Sequence, residues 1–177
     1  MALLRGINVG GKNLLPMKDL VRLFADAGCA DVRTYIQSGN VLFQASPAKA
    51  GRLPGVIAQG IADRFGYRTP VLLRTVEELG ATIRNNPFLE AGAPESWLHV
   101  LFLASQADAL HVAALDPDRS PPDAYAVRGR EIYLQCPNGA GNTRLTNAWF
   151  DSKLATISTG RNWRTAIKLF ELASLVS

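Results

Sequence analysis

Apolar residues along the first 75 positions change period repeatedly, and each change marks an element boundary. Leu3, Leu4 and Ile7 predict a short first strand near residues 2–6. From Gly6 to Leu15 the pattern breaks: three glycines and two asparagines read as a loop. Pro16 suits a helix start, where its missing N–H costs nothing. Met17, Leu20, Val21 and Phe24 then recur at helical spacing, with Gly28 as a left-handed stop. Two strands follow, 31–37 and 40–44, joined at Ser38-Gly39, where glycine can take the positive φ of a tight hairpin. Val32, Thr34 and Ile36 share a face, with Val41 and Phe43 opposite them across the hairpin. A second helix spans 48–65 with Val56, Ile57, Ile61 and Phe65 on one stripe and Gly66 as its cap; Pro54 and Gly55 delay its regular part to near Pro54. Residues 69–74 form a fourth strand, with Pro70 at its start or at an edge.

Strand, helix, strand, strand, helix, strand is the order of a split βαβ, ferredoxin-like unit. Its sheet is antiparallel in the order 4-1-3-2, with both helices on one face. That topology brings the end of the first strand to the start of the third. The loop 6–13 should therefore approach Ser38, Gly39 and Asn40 at one sheet edge.

The second half echoes the first. Its elements are a helix over 76–84, an apolar central strand over 97–103, a helix over 106–115, and a hairpin of 124–128 and 131–136 around Gly129. Two helices, 143–155 and 162–176, end the chain. The fold class is thus α+β: a ferredoxin-like subdomain over 1–75, then a second, duplicated βαββα unit with C-terminal helices over 76–177.

With 177 residues, 47% apolar and 19% charged, the chain can bury a core without staples. A disordered tail is excluded by that composition. The best apolar run, Trp97 to Ser105, is half the length a membrane helix needs. Met1-Ala2-Leu3-Leu4-Arg5 has no signal-peptide layout, so the cytoplasm is the expected location. The net charge of +4 is uneven. Residues 1–75 carry ten Lys/Arg against four Asp/Glu, residues 76–120 two against seven, and residues 121–177 seven against four. Basic segments flanking an acidic middle attract anions if they converge; otherwise they are solvated faces. No run of five basic residues marks a nucleic-acid arm, and no aromatic-basic signature of an RNA-binding sheet is present. Cys29 and Cys136 fit no Cys-x-x-Cys or metal spacing; Cys136 follows Ile132 and Leu134 at period two, as a small hydrophobe on a strand face.

Gly6-x4-Gly11-Lys12-Asn13 comes one residue from a P-loop. Asn13 replaces the hydroxyl that would hold magnesium, Leu14-Leu15-Pro16 separates the lysine from the helix, and a hairpin follows where a parallel crossover belongs. What remains is a looser anion site of Gly10 and Gly11 N–H groups with Arg5 and Lys12, or plain turn chemistry. His99 lies in an apolar strand and His111 in a short helix, neither with an assignable nucleophile; no catalytic set, metal signature or cofactor motif is legible. At the last helix, Asn162 is a good N-cap, Trp163, Ala166, Ile167 and Phe170 form a buried stripe, and Arg161 at the positive end would favour an anion.

Three segments, 2–13 (Ala-Leu-Leu-Arg-Gly-Ile-Asn-Val-Gly-Gly-Lys-Asn), 34–43 (Thr-Tyr-Ile-Gln-Ser-Gly-Asn-Val-Leu-Phe) and 160–165 (Gly-Arg-Asn-Trp-Arg-Thr), together resemble the bacterial domain of unknown function family 1697. The resemblance implies a ferredoxin-like α+β architecture and no activity. On the residues themselves, the leading expectation is a binding protein for a phosphate-bearing small molecule or nucleotide. Arg5, Asn8, Gly10, Gly11, Lys12, Ser38, Asn40, Arg161 and Asn162 would line its site. The alternatives are an enzyme acting on a small anionic metabolite and a protein–protein interaction module.

Overall fold

The computed structural model describes residues 1–175. Contacts divide the chain into two units: Met1–Val76 joined by the residues from Glu171 onward, and Glu77–Phe170.

In the first unit the elements are β1 (Ala2–Leu4), α1 (Met17–Asp26), β2 (Ala30–Tyr35), β3 (Asn40–Gln44), the single turn α2 (Pro47–Ala50), α3 (Leu53–Phe65) and β4 (Val71–Leu73). The sheet runs β2-β3-β1-β4 and every pairing is antiparallel, the order the topology predicts. Registers Ala2↔Val41, Thr34↔Val41 and Leu4↔Val71 set one face of the sheet. That face packs on Leu20 and Phe24 of α1 and Ile57 and Ile61 of α3, all fully buried. Each such side chain contributes about 1.5–3 kcal/mol by leaving water. Gly60 has a packing reason in mid-helix, where glycine costs about 1 kcal/mol: a Cβ there would sit 2.7 Å from Leu23 Cδ2.

The helix expected over 48–65 is two pieces, with Pro54 in the first turn of α3. The strand expected to reach residue 37 stops at Tyr35, because Ile36 turns into the left-handed region at φ 50° and points to solvent.

The second unit holds α4 (Val76–Arg84, apart from its first residue), α5 (Pro87–Glu90), a 3-10 turn (Glu95–Trp97), β5 (Leu98–Leu103), α6 (Ala109–Ala113), β6 (Ala124–Arg128), β7 (Glu131–Gln135), α7 (Asn147–Leu154), β8 (Ser158–Asn162) and the start of α8 (Trp163–Ser174). Its sheet runs β6-β7-β5-β8, the same order as the first. Spacing alone predicts βαββα here, with nothing between the last two helices. The structure corrects this, because β8 completes a second βαββαβ set by pairing antiparallel with β5 from His99↔Asn162 to Leu103↔Ser158. Ser-Thr-Gly-Arg-Asn shows no apolar alternation; β5, buried along almost its whole length, supplies the partner that makes it a strand. One sheet face packs Leu101, Ile132, Leu134 and Cys136 on Phe150 and Leu154 of α7. On the other face, Tyr133 lies 6.4 Å from the Trp163 ring and donates to the Thr82 carbonyl of α4.

Candidate functional site

The loop after β1 meets the β2–β3 turn, and backbone chemistry explains how. Leu4 N–H donates to the Gly39 carbonyl at 2.8 Å. Gly39 has φ 75°, and a Cβ there would lie 2.7 Å from Leu4 Cβ and 3.1 Å from Ile7 Cδ1, so only glycine fits. Arg5 N–H donates to the Pro70 carbonyl at 3.1 Å, while the Thr69 hydroxyl donates to the Arg5 carbonyl. Asn8 ties loop to turn: its Oδ1 accepts from Leu15 N–H at 2.8 Å, and its Nδ2 donates to the Leu15 and Gln37 carbonyls, each at 3.0 Å. Asn13 Nδ2 donates to the Gly6 carbonyl at 3.0 Å, and the Tyr67 hydroxyl donates to the Asn13 carbonyl at 2.9 Å. Across the turn, fully buried Asn40 donates to the Tyr35 carbonyl at 3.1 Å and to Ser38 Oγ at 2.9 Å.

On this scaffold the tip reverses in two residues. Lys12 N–H donates to the Val9 carbonyl at 3.0 Å, and Gly10 and Gly11 take φ 58° and 73°. Two consecutive positive φ values make a primed hairpin turn, for which glycine is the residue of choice. Nothing lies within 4 Å of where a Cβ would stand on either glycine. Lys12 is exposed, and its ammonium makes no ion pair among the described residues. The structure therefore sorts the first-unit residues into two roles. Asn8, Ser38 and Asn40 hold the scaffold, whereas Gly10, Gly11 and Lys12 are exposed at the loop tip.

Arg161 and Asn162 belong to the second unit, at the end of β8. Arg161 is 9% exposed; its Nη1 donates to Thr159 Oγ1 at 3.0 Å and to the Gly160 carbonyl at 2.7 Å. Burial lowers its pKa to about 10. Asn162 Oδ1 accepts from Thr165 N–H at 2.8 Å, capping α8 as its sequence position predicts, and Trp163 behind it is fully buried.

Spacing gives no role to the groups that line this unit's clefts. His99, on β5, has a buried Nδ1 with no hydrogen-bond partner among the described residues. Burial lowers its pKa, more than the nearby Trp97 carbonyl raises it. Beside it, Asn147 Nδ2 donates to Ser158 Oγ at 2.7 Å, and Ser158 in turn donates to Asp151 Oδ1 at 2.6 Å. Only recognition of β8 could have pointed to these residues. Among the described residues no group of three or more His, Cys, Asp or Glu could hold a metal ion, and no helix is long and apolar enough to cross a membrane. Both cysteines are free thiols, Cys136 buried and Cys29 partly so.

No curated protein matches the chain. Among solved structures, the fold is similar to that of "conserved bacterial protein SP0830 from Streptococcus pneumoniae", with a TM-score of 0.72 and 22% identity over 97% of this chain and 96% of that one. That likeness is one of architecture. Residues 1–133 match the family described as "protein of unknown function (DUF1697)", and this stretch includes the whole loop-and-turn site. On that match the chain belongs to the DUF1697 family.

Proposed function

We propose that the protein binds a phosphate-bearing small molecule or nucleotide at the tip of the β1–α1 loop. The observation that supports this most is the pair Gly10-Gly11. Both residues are left-handed, exposed and free of any atom within 4 Å of where a Cβ would stand, next to exposed Lys12, on a loop braced by asparagines. Backbone N–H groups on a fixed turn form an anion-binding concavity, to which lysine adds a point charge and arginine a planar fork. Exposed apolar side chains on the loop and the adjoining turn (Val9 and Leu14, each 64% exposed, and Ile36, 51%) favour the second reading, a protein-docking tip.

Thermal shift and calorimetry with ATP, GTP, a sugar bisphosphate and pyrophosphate separate the two. A binder of the folded state raises the melting temperature by mass action. The rise should shrink with added salt and vanish in Lys12→Ala and Arg5→Ala variants that keep the wild-type circular dichroism. Product release from a bound compound would convert the binder into an enzyme acting on a small anionic metabolite. Saturation with none of the four probes overturns the phosphate reading.

A further inference from the structure

The second unit carries a separate cleft of about 390 Å³ on the helix-covered face of its sheet, at the end where β5 begins and β8 finishes. That volume lies in the lower part of the range for small-molecule sites. Its apolar lining comes from Leu101, Leu134 and Leu145. Its polar lining includes His99, Asn147 and Asn162, and their hydrogen bonding is incomplete in a consistent way. Asn147 spends its amide N–H on Ser158, leaving its carbonyl oxygen. Asn162 spends its carbonyl on the Thr165 N–H, leaving its amide nitrogen. His99 lines the same space with its ring, while its Nδ1 is buried with no hydrogen-bond partner among the described residues. One acceptor and one donor thus border an apolar floor, beside the ring of His99.

No ionised side chain is offered to this space. Arg161 is in the lining, but alternation along β8 puts its side chain on the face opposite Gly160, where Thr159 Oγ1 accepts from it. Gly160 itself fits only as glycine: a Cβ would lie 2.8 Å from Leu101 Cδ2 and 3.6 Å from Asn147 Oδ1. Burial lowers the pKa of His99, which favours its neutral form.

We propose that this cleft binds an uncharged planar ring with an amide or lactam edge, read by Asn147 and Asn162 and walled by the ring of His99. A flat apolar face would lie on the leucines, while the edge exchanges hydrogen bonds with the two asparagines. Charged analogues would lose their hydration without meeting a counter-charge. This site is independent of the phosphate reading and of the loop that carries it.

The test is a nitrogen-15 NMR titration of the full chain with nicotinamide, uracil, thymine and nicotinate. Nicotinamide or a nucleobase should produce saturable shifts in the side-chain amides of Asn147 and Asn162. Nicotinate, the same ring with a carboxylate, should bind at least about tenfold more weakly, or 1.4 kcal/mol. Asn162→Asp keeps an oxygen to cap Thr165 but removes the donor, and should weaken nicotinamide about tenfold with the fold unchanged. His99→Phe, which fills part of the cleft, should abolish binding and gives a second reading if the aspartate variant unfolds. No saturable shift with any probe, nicotinate binding as tightly as nicotinamide, or full affinity in both variants overturns the proposal.

Discussion

Truncating Trp163 tests the packing at the start of α8. Its indole is fully buried, 6.4 Å from the ring of Tyr133, which is itself 1% exposed and bonded to α4 through the Thr82 carbonyl. Trp163→Ala removes the ring from a site with little freedom to collapse, and should cost about 3–5 kcal/mol. For a chain of this size each kcal/mol moves the melting temperature by roughly 2–4 °C, so the variant should melt between about 6 and 20 °C lower. Trp163→Phe should behave differently. The indole Nε1–H is buried with no hydrogen-bond partner among the described residues, so deleting it relieves a penalty of about 1–3 kcal/mol. That gain offsets much of the smaller cavity, and the phenylalanine variant should stay within about 1 kcal/mol of wild type. Urea unfolding followed by far-UV circular dichroism is the assay, because fluorescence would mix in Trp97 and Trp149. If the two units unfold in separate steps, the step that carries Tyr133 is the one to compare. An alanine variant within about 0.5 kcal/mol of wild type, or a phenylalanine variant as unstable as alanine, would refute the reasoning.

Gly39→Ala forces a left-handed φ on alanine and drives its Cβ to 2.7 Å from Leu4 Cβ, so it should cost about 2–5 kcal/mol in urea unfolding. In the native protein a disulfide reagent should modify Cys29 first and reach Cys136 only on unfolding, since Cys136 is buried and its pKa is pushed up to about 11; mass spectrometry of the adducts decides. Because the folded pKa of His99 lies below 6.5, the unfolded chain takes up that proton first as pH falls. Its stabilising share is whole above pH 6.5 and is lost between 6.5 and the folded pKa, so His99→Phe should flatten the stability curve in that window.

The first unit was readable because its elements carry their own punctuation. Pro16 precedes α1, Gly66 follows α3 with φ 77°, and β3 spans Asn40–Gln44 as its alternation predicts. In the second half, α4 and both hairpin strands were readable for the same reason. The β8 strand was not, since its residues become buried through pairing with β5, and no window of sequence contains both partners. The duplication itself was the available signal: after strand, helix, hairpin and helix, a closing strand was due. At the loop-and-turn site, topology alone was enough to expect the 6–13 loop beside Ser38–Asn40. The sequence itself does not decide whether the asparagines there contact a ligand or satisfy the backbone. Hydrogen bonds to the backbone now account for Asn8, Asn13 and Asn40.

The two units share more than strand order, and they differ in the connection that follows the first strand of each. At the end of the first strand in each, one N–H reaches the hairpin turn: Leu4 to the Gly39 carbonyl and Leu103 to the Arg130 carbonyl, both at 2.8 Å. The next N–H reaches the residue just before the fourth strand: Arg5 to the Pro70 carbonyl at 3.1 Å and Ala104 to the Ile157 carbonyl at 2.8 Å. From this common frame the chains diverge. Twelve residues separate β1 from α1, but only five separate β5 from α6. The longer connection holds the left-handed asparagines and glycines and the lysine, whereas the shorter one is closed by Asp108 capping α6. Strand order does not require the extra length, since the second unit completes the same sheet without it, although the longer connection does bury Ile7 and Leu15 in the first unit's core. A loop longer than the strand order needs, stiffened by six side-chain hydrogen bonds of Asn8, Asn13 and Tyr67, has the fixed geometry that the proposed binding at its tip would require.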